Sequence, residues 1–151
     1  MTIQEYIARA TQKKAQELLA AARALPEERQ HWKPLGQSRS AVDLVAECAI
    51  MNQMSVQLLQ ERTWNEAGRT ERQNAQAALD TLEKAAAALL ENTDSLAAAI
   101  RAVSEEDLAL TITLPGETTT VCEDLLHSYW NMSYHEGQIN YIQTLGEVVR
   151  K

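Results

Sequence analysis

The chain has 151 residues, of which 45% are hydrophobic, and a formal net charge of −7. This length suits one domain with a self-sufficient core, and we expect residues 1–151 to form a single domain. The 14 Lys and Arg residues are scattered along an acidic chain, which predicts no nucleic-acid partner because no basic excess could neutralise a phosphate backbone.

The sequence also indicates a cellular compartment. No apolar run reaches the roughly 18 residues that suggest a membrane helix, and the first residues lack the apolar core of a secretion signal. Cys48 and Cys122 are too far apart for a CxxC redox pair, and their apolar neighbours predict reduced, partly buried thiols. We therefore expect a cytoplasmic protein with no membrane partner.

Composition and periodicity predict an all-α fold. Ala, Leu, Gln and Glu are abundant, Phe is absent, and the chain has only five Gly and three Pro. Apolar residues at helical spacing predict four helices, at residues 2–24, 41–61, 70–103 and 121–146. We expect a four-helix bundle with long connections and a short extended segment before the last helix.

Local signals mark the ends of these helices. Thr2, Ser40 and Thr120 are each followed three residues later by an acidic residue, which is the spacing of a helix capping box. Residues 26–39 contain two of the three Pro residues and predict a loop. Residues 108–119 alternate between apolar and polar around a Pro-Gly turn and predict the extended segment.

Two of the helices carry polar residues on an apolar face. In the second helix, Glu47 lies within a face made of Leu44, Ile50, Met51, Met54 and Leu58. In the fourth helix, the apolar stripe includes Asp124, Ser128, Asn131, His135 and Gln138, with His127 at its edge. A buried carboxylate without a partner costs several kcal/mol, so we expect Glu47 to be neutral, paired or metal-bound. His135 is its natural partner.

This polar cluster has two interpretations. It is either a buried hydrogen-bond network that only satisfies its own members, or a site built for chemistry. The aromatic residues Trp130, Tyr134 and Tyr141 flank it and are typical of core or subunit contact, with a substrate-facing role as the alternative. Cys48 points about 100° away from Glu47 on the helix and is expected to serve packing.

Three segments carry a resemblance to a known family: PEERQHW, SAVDLVAECA and WNMSYHEGQINYIQTL. With them, nearly the whole chain resembles the DinB/YfiT-like superfamily of damage-inducible four-helix metalloproteins. The resemblance implies a homodimer whose bundle holds a divalent metal, zinc or nickel, through one histidine from the second helix and an HxxxH pair from the fourth. Several relatives are thiol-dependent transferases or hydrolases.

Carried over by position, the implied metal ligands are Glu47, Asn131 and His135, of which only His135 is a histidine. The substitutions weaken the expected ligand set, because an amide oxygen is an uncommon ligand for zinc or nickel. We therefore expect a non-catalytic or vestigial member that binds a small molecule or a protein partner and keeps the site as a polar network. The alternatives are a metal-dependent thiol transferase or hydrolase acting on a small molecule, and a helical interaction module built on the Ala-rich third helix.

Overall fold

Four long helices pack side by side in the computed structural model, which describes residues 1–64 and 66–147. They are α1 (Ile3–Arg23), α3 (Ala41–Glu61), α5 (Leu82–Ala102) and α7 (His127–Glu147). Three shorter helices lie between them: α2 (Glu27–Gln30), α4 (Arg69–Ala78) and α6 (Val121–Asp124). The prediction of an all-α bundle is confirmed.

The long helices form a ring around one apolar interior. Helices α1 and α3 each pack against both α5 and α7. Fully buried side chains from all four helices fill the space between them, namely Leu18, Leu44, Leu89, Leu96, Met132 and Ile139. Trp32, in the loop after α2, packs partly buried against the same core. No helix in the described ranges is long and apolar enough to cross a membrane.

The start of α3 follows the predicted capping pattern. The Ser40 side chain accepts from the Asp43 backbone N–H at 3.2 Å, and the Asp43 carboxylate accepts from the Ser40 backbone N–H at 3.0 Å. These reciprocal bonds satisfy two donors that would otherwise lack partners. They fix the first residue of the helix, and α3 has the predicted bounds. Thr2 caps α1 in the same way, although Glu5 pairs with Arg9 and Arg101 rather than bonding back.

The prediction of one long third helix at residues 70–103 is wrong. Helix α4 ends at Ala78, and α5 begins only after Thr81, whose side chain accepts from the Lys84 backbone N–H at 3.2 Å. None of the α4 residues is buried. This segment is too polar to fill a core position, so it leaves the bundle and runs beside α3.

The extended segment before the last helix is a β-hairpin. Strands β1 (Thr111–Leu114) and β2 (Glu117–Thr120) pair antiparallel around a turn in which Gly116 has a φ of +83°. A glycine suits this turn because other residues rarely adopt a positive φ. The fourth predicted helix is divided, because α6 ends at Asp124 and α7 begins at His127.

The hairpin is attached to the segment that follows α3. Thr113 donates its backbone N–H to the Arg62 carbonyl at 3.2 Å and accepts from the Trp64 backbone N–H at 3.1 Å. Ile112, on the opposite face of β1, is fully buried. The hairpin therefore forms a fixed wall at the carboxyl end of α3.

Candidate functional site

The predicted meeting of Glu47 and His135 occurs inside the bundle. His135 Nε2 lies 3.0 Å from Glu47 Oε1 and joins α7 to α3. The His135 side chain is 2% exposed and that of Glu47 is 25% exposed. The prediction that these two side chains approach closely is confirmed.

A third residue, Arg39, binds the carboxylate of Glu47 from the other side. Its guanidinium Nη1 forms a salt bridge with Glu47 Oε2, the carboxylate oxygen that does not face His135. Arg39 lies in the loop before α3, and no pattern in the sequence predicted it as a site residue. The one signal in the sequence was that a carboxylate on an inner helix face needs a cation nearby. Glu47 therefore obtains its countercharge from the chain itself.

Two side-chain amides contact the ring of His135, and a thiol contacts one of these amides. Gln138 Oε1 lies 2.7 Å from its Nδ1, and Asn131 Nδ2 lies 3.2 Å from its Nε2. The Cys48 thiol lies 3.4 Å from Asn131 Oδ1. The prediction that Cys48 lies away from this cluster is wrong, because α7 packs across the faces that carry both Glu47 and Cys48. We call Arg39, Glu47, Asn131, His135 and Gln138 the polar centre.

Burial controls protonation in this region. It lowers the pKa of His135, an effect that the hydrogen bond to Gln138 opposes and the charge of Arg39 reinforces. The ring is therefore neutral at neutral pH and has a single N–H. The Glu47 carboxylate only accepts, so that N–H lies on Nε2 and Nδ1 is an acceptor. The side-chain amides of Gln138 and Asn131 must then turn over, so that an NH2 faces Nδ1 and an oxygen faces Nε2. Burial also raises the pKa of the Cys48 thiol to about 12, so Cys48 is not a reactive thiolate. Cys122, predicted to be partly buried, is exposed.

The polar centre does not fit a zinc or nickel ion. The metal would need the oxygen of Glu47 and the nitrogen of His135 that already bond to each other, and it would lie beside the fixed positive charge of Arg39. Asn131 offers an amide, which both metals bind weakly. In residues 1–64 and 66–147, no group of three or more His, Cys, Asp or Glu side chains is arranged to hold a metal.

A cleft of about 560 Å³ opens beside the polar centre. Glu47 lies among its lining residues, and the apolar part of the lining is Ile50, Met51, Met54, Leu58, Leu114 and Pro115. Helix α4 forms another wall through Arg69, Arg72, Gln73 and Gln76, and the rim includes Trp64 and Glu66. The cleft thus lies between α3, the displaced helix α4 and the β-hairpin. We call it the α3 cleft.

The remaining polar residues predicted on the inner face of the fourth helix lie in two different places, the core and the α3 cleft. Ser128 is buried and its hydroxyl lies 2.9 Å from that of Ser55 on α3. Asp124 is buried and lines the α3 cleft, while His127 lines the same cleft but is exposed. Burial raises the pKa of Asp124, and the neighbouring charge of His127 opposes that rise.

The three aromatic residues predicted to flank the site point outward. Trp130, Tyr134 and Tyr141 are between 60% and 66% exposed, on the side of α7 that turns away from the core. None of them lines the α3 cleft. Tyr134 and Tyr141 instead line a second cleft, of about 420 Å³, together with Arg39 and Gln138 of the polar centre. The structure is therefore compatible with the substrate-facing alternative for these two tyrosines.

Fold and site together define a helical-bundle protein with a polar centre beside an open cleft. The chain belongs to the DinB superfamily, whose family model matches residues 10–139. The resemblance given by the sequence is therefore confirmed. No curated protein sequence matches the chain.

Two solved structures have the same fold. The colibactin self-resistance protein ClbS, in complex with a dsDNA, aligns with a TM-score of 0.71 and 17% sequence identity, over 93% of this chain and 95% of its own. A DinB-like protein, YjoA, from Bacillus subtilis aligns with a TM-score of 0.68 and 18% identity, over 93% and 92% of the two chains. At these identities the similarity shows the fold alone.

The prediction of no nucleic-acid partner is wrong. It was drawn from a net charge of −7 and scattered basic residues, yet ClbS shares this fold and was crystallised with dsDNA. Net charge is a poor basis for such an exclusion, because binding depends on the local arrangement of charges and on groups that recognise shape.

Proposed function

We propose that this protein is a non-catalytic DinB-superfamily member that binds a small molecule in the α3 cleft. The observation that carries the proposal is the salt bridge between Arg39 and Glu47. It gives Glu47 a guanidinium as countercharge, in place of the metal that the family pattern implies, so the polar centre is satisfied by side chains alone. A guanidinium supplies positive charge and maintains the geometry of the site, but it cannot lower the pKa of a bound water or thiol as a metal does.

The shape of the cleft supports binding of a small molecule. A volume of about 560 Å³ lies within the range of ligand sites, and a mainly apolar lining with a few polar groups is typical of them. Met51 and Met54 provide flexible, polarisable surface that adapts to different ligand shapes. The polar centre fixes one end of this wall through Glu47.

The rival proposal is a metal-dependent thiol transferase or hydrolase that uses Glu47, Asn131 and His135 as ligands. It requires Arg39 to leave Glu47, and it requires a nucleophile from outside the polar centre, because burial keeps the Cys48 thiol protonated. Metal binding separates the two proposals, because only the enzyme needs a bound metal.

Small-molecule binding can be tested with phenethyl alcohol as a neutral probe. We expect it to shift the NMR signals of the Met51 and Met54 methyl groups, which line the cleft, and to leave Met132 unchanged because its side chain is fully buried in the core. Leu114→Trp should fill the cleft and abolish the shifts. Leu110→Trp, the same change at an exposed position outside the cleft, should preserve them.

Absence of shifts at Met51 and Met54 in the wild type at millimolar probe would contradict the proposal. So would shifts that persist in Leu114→Trp while circular dichroism shows an intact helical fold. A short DNA duplex titrated in parallel tests the partner that the ClbS complex introduces. Salt-dependent shifts outside the cleft would then indicate a separate nucleic-acid surface.

We further propose that the protein is a cytoplasmic homodimer formed through the open face of α7. Trp130, Tyr134 and Tyr141 share this face and are exposed, and Gly137 between them leaves room for a second helix to approach. Aromatic side chains of this kind are enriched in interfaces. Two free thiols, Cys48 and Cys122, suit a reducing compartment.

Light scattering tests the dimer. We expect a mass near twice the 16.8 kDa of one chain at tens of micromolar protein, and a fall to one chain in Tyr134→Glu. Tyr6→Glu changes an equally exposed tyrosine on α1 and should leave the dimer intact. A wild type that scatters as a monomer, or a Tyr134→Glu variant that remains dimeric, would refute this interface.

A further inference from the structure

Asp124 is a buried carboxyl group whose second oxygen has no partner. The residue is 8% exposed, and its Oδ2 is shielded from solvent without a hydrogen bond to any group in the described ranges. An acceptor left in this state costs free energy, more so when it is charged. Asp124 also lines the α3 cleft, and a rotation of its side chain would bring Oδ2 to the surface of the cleft, where a ligand could bond to it.

Contacts between α3 and α7 locate Asp124 at the end of the cleft opposite to Glu47. Glu47 meets His135, Asn52 meets Met132 at 3.8 Å, and Ser55 meets Ser128. The helices are therefore antiparallel, and Asp124 lies level with the carboxyl end of α3. From Glu47 to Leu58, both of which line the cleft, α3 rises about 16 Å.

Of the four carboxyl groups that line the cleft, Glu66 and Glu117 lie on its rim, and the two others, Glu47 and Asp124, differ in how they are neutralised. Glu47 has both oxygens occupied, one by Arg39 and the other by His135. Asp124 has the opposing charge of His127 beside it, and His127 is exposed to solvent. The other cations of the cleft, Arg69 and Arg72, lie on the α4 wall. A ligand that brings its own positive charge would therefore gain most from the Asp124 end.

The surroundings of Asp124 define the rest of the ligand. Between the two ends, the wall of the cleft is apolar and formed by Ile50, Met51, Met54, Leu58 and Leu114. A ligand that fills this space needs an apolar body. A protonated amine at one end of that body provides the N–H donors that Oδ2 lacks, and charge-assisted bonds of this type are the strong ones.

We propose that Asp124 is the recognition residue for a small amphipathic amine, whose ammonium group binds this carboxylate while its apolar body lies along α3. The proposal rests on the proposed function, since it names the class of ligand that the α3 cleft takes. No covalent step is involved. Glu47 does not compete for the ammonium because Arg39 already neutralises it.

Three probes of one shape test the proposal: phenethylamine, phenethyl alcohol and hydrocinnamate. We expect the amine to bind the wild type at least about tenfold more tightly than the alcohol, and the carboxylate to bind more weakly than both. Shifts of the Met51 and Met54 methyl groups report binding in each titration. In Asp124→Asn the affinity for the amine should fall to that for the alcohol.

Glu117→Gln is the matched control, because it removes an exposed carboxylate from the rim of the same cleft and should keep the preference for the amine. Equal binding of amine and alcohol by the wild type would overturn the amine proposal and leave the proposed function standing. Binding of none of the probes would overturn both. The wild-type comparison decides the matter even if Asp124→Asn fails to fold, and a folded Asp124→Asn that keeps the preference would also refute the role of Asp124.

Discussion

His135→Ala is expected to lower the free energy of unfolding by about 3 kcal/mol. The ring is 2% exposed, so its removal leaves a cavity between α3 and α7. It also takes the hydrogen-bond partner from one oxygen of Glu47 and from Gln138. A polar group left unpaired costs about 1–3 kcal/mol, and the lower part of that range applies because Glu47 is partly exposed and keeps Arg39.

Urea unfolding measures this effect, and two further variants serve as comparisons. His31→Ala removes an exposed histidine and should change the free energy of unfolding by no more than about 0.5 kcal/mol. Glu47→Gln should be milder than His135→Ala, because its amide oxygen still accepts from His135 Nε2–H. A His135→Ala variant as stable as the wild type would show that the polar centre contributes nothing to folding.

The pH dependence of the same variant has a definite sign. Burial lowers the pKa of His135 in the folded protein, whereas an unfolded histidine titrates near about 6.5. As the pH falls below that value, the unfolded chain binds the proton more readily, so the wild type loses stability. His135→Ala lacks this loss. The difference in free energy of unfolding between the wild type and His135→Ala should therefore be largest above pH 7 and should become smaller as the pH falls.

A second large effect is expected from building the missing metal site. Arg39→Met, Glu47→His and Asn131→His combined would remove the guanidinium and complete the three histidines that the family pattern implies. Zinc at about 100 times its dissociation constant should then raise the free energy of unfolding by about 2.7 kcal/mol. Three neutral imidazoles suit zinc, and His135 already occupies one of the three positions.

Arg39→Met alone is the informative control for this variant. If the guanidinium is the main barrier, zinc should stabilise the single variant through Glu47, Asn131 and His135. If the missing histidines are the barrier, only the triple variant should respond. Failure of the triple variant to gain stability with zinc, despite an intact helical fold, would show that these positions do not converge on one point.

The sequence predicted those parts of the fold that depend on local signals. Helix α3 has its predicted bounds because Ser40 and Asp43 form a capping box that acts over three residues. The break between α4 and α5 was missed because the apolar spacing continues through it. The cap at Thr81 and the polar face of α4 outweigh that spacing.

The candidate site was predictable where it lies on regular helices. Helical spacing brings Glu47 and His135 onto inner faces, so their contact could be anticipated. Arg39 lies in a loop, and no periodic rule gives the direction of its side chain. The α3 cleft depends on the positions of α4 and of the β-hairpin, which are set by long-range packing rather than by neighbouring residues.

Thermal melting of untagged wild-type protein, with and without a chelator and then with added zinc or nickel, tests most directly whether Arg39 stands in for a metal. We predict the same melting temperature in all conditions, because the guanidinium already neutralises Glu47 and the ring of His135 already donates to it. A melting temperature that falls with chelator and is restored by zinc or nickel would contradict this conclusion and would favour the metal-dependent enzyme.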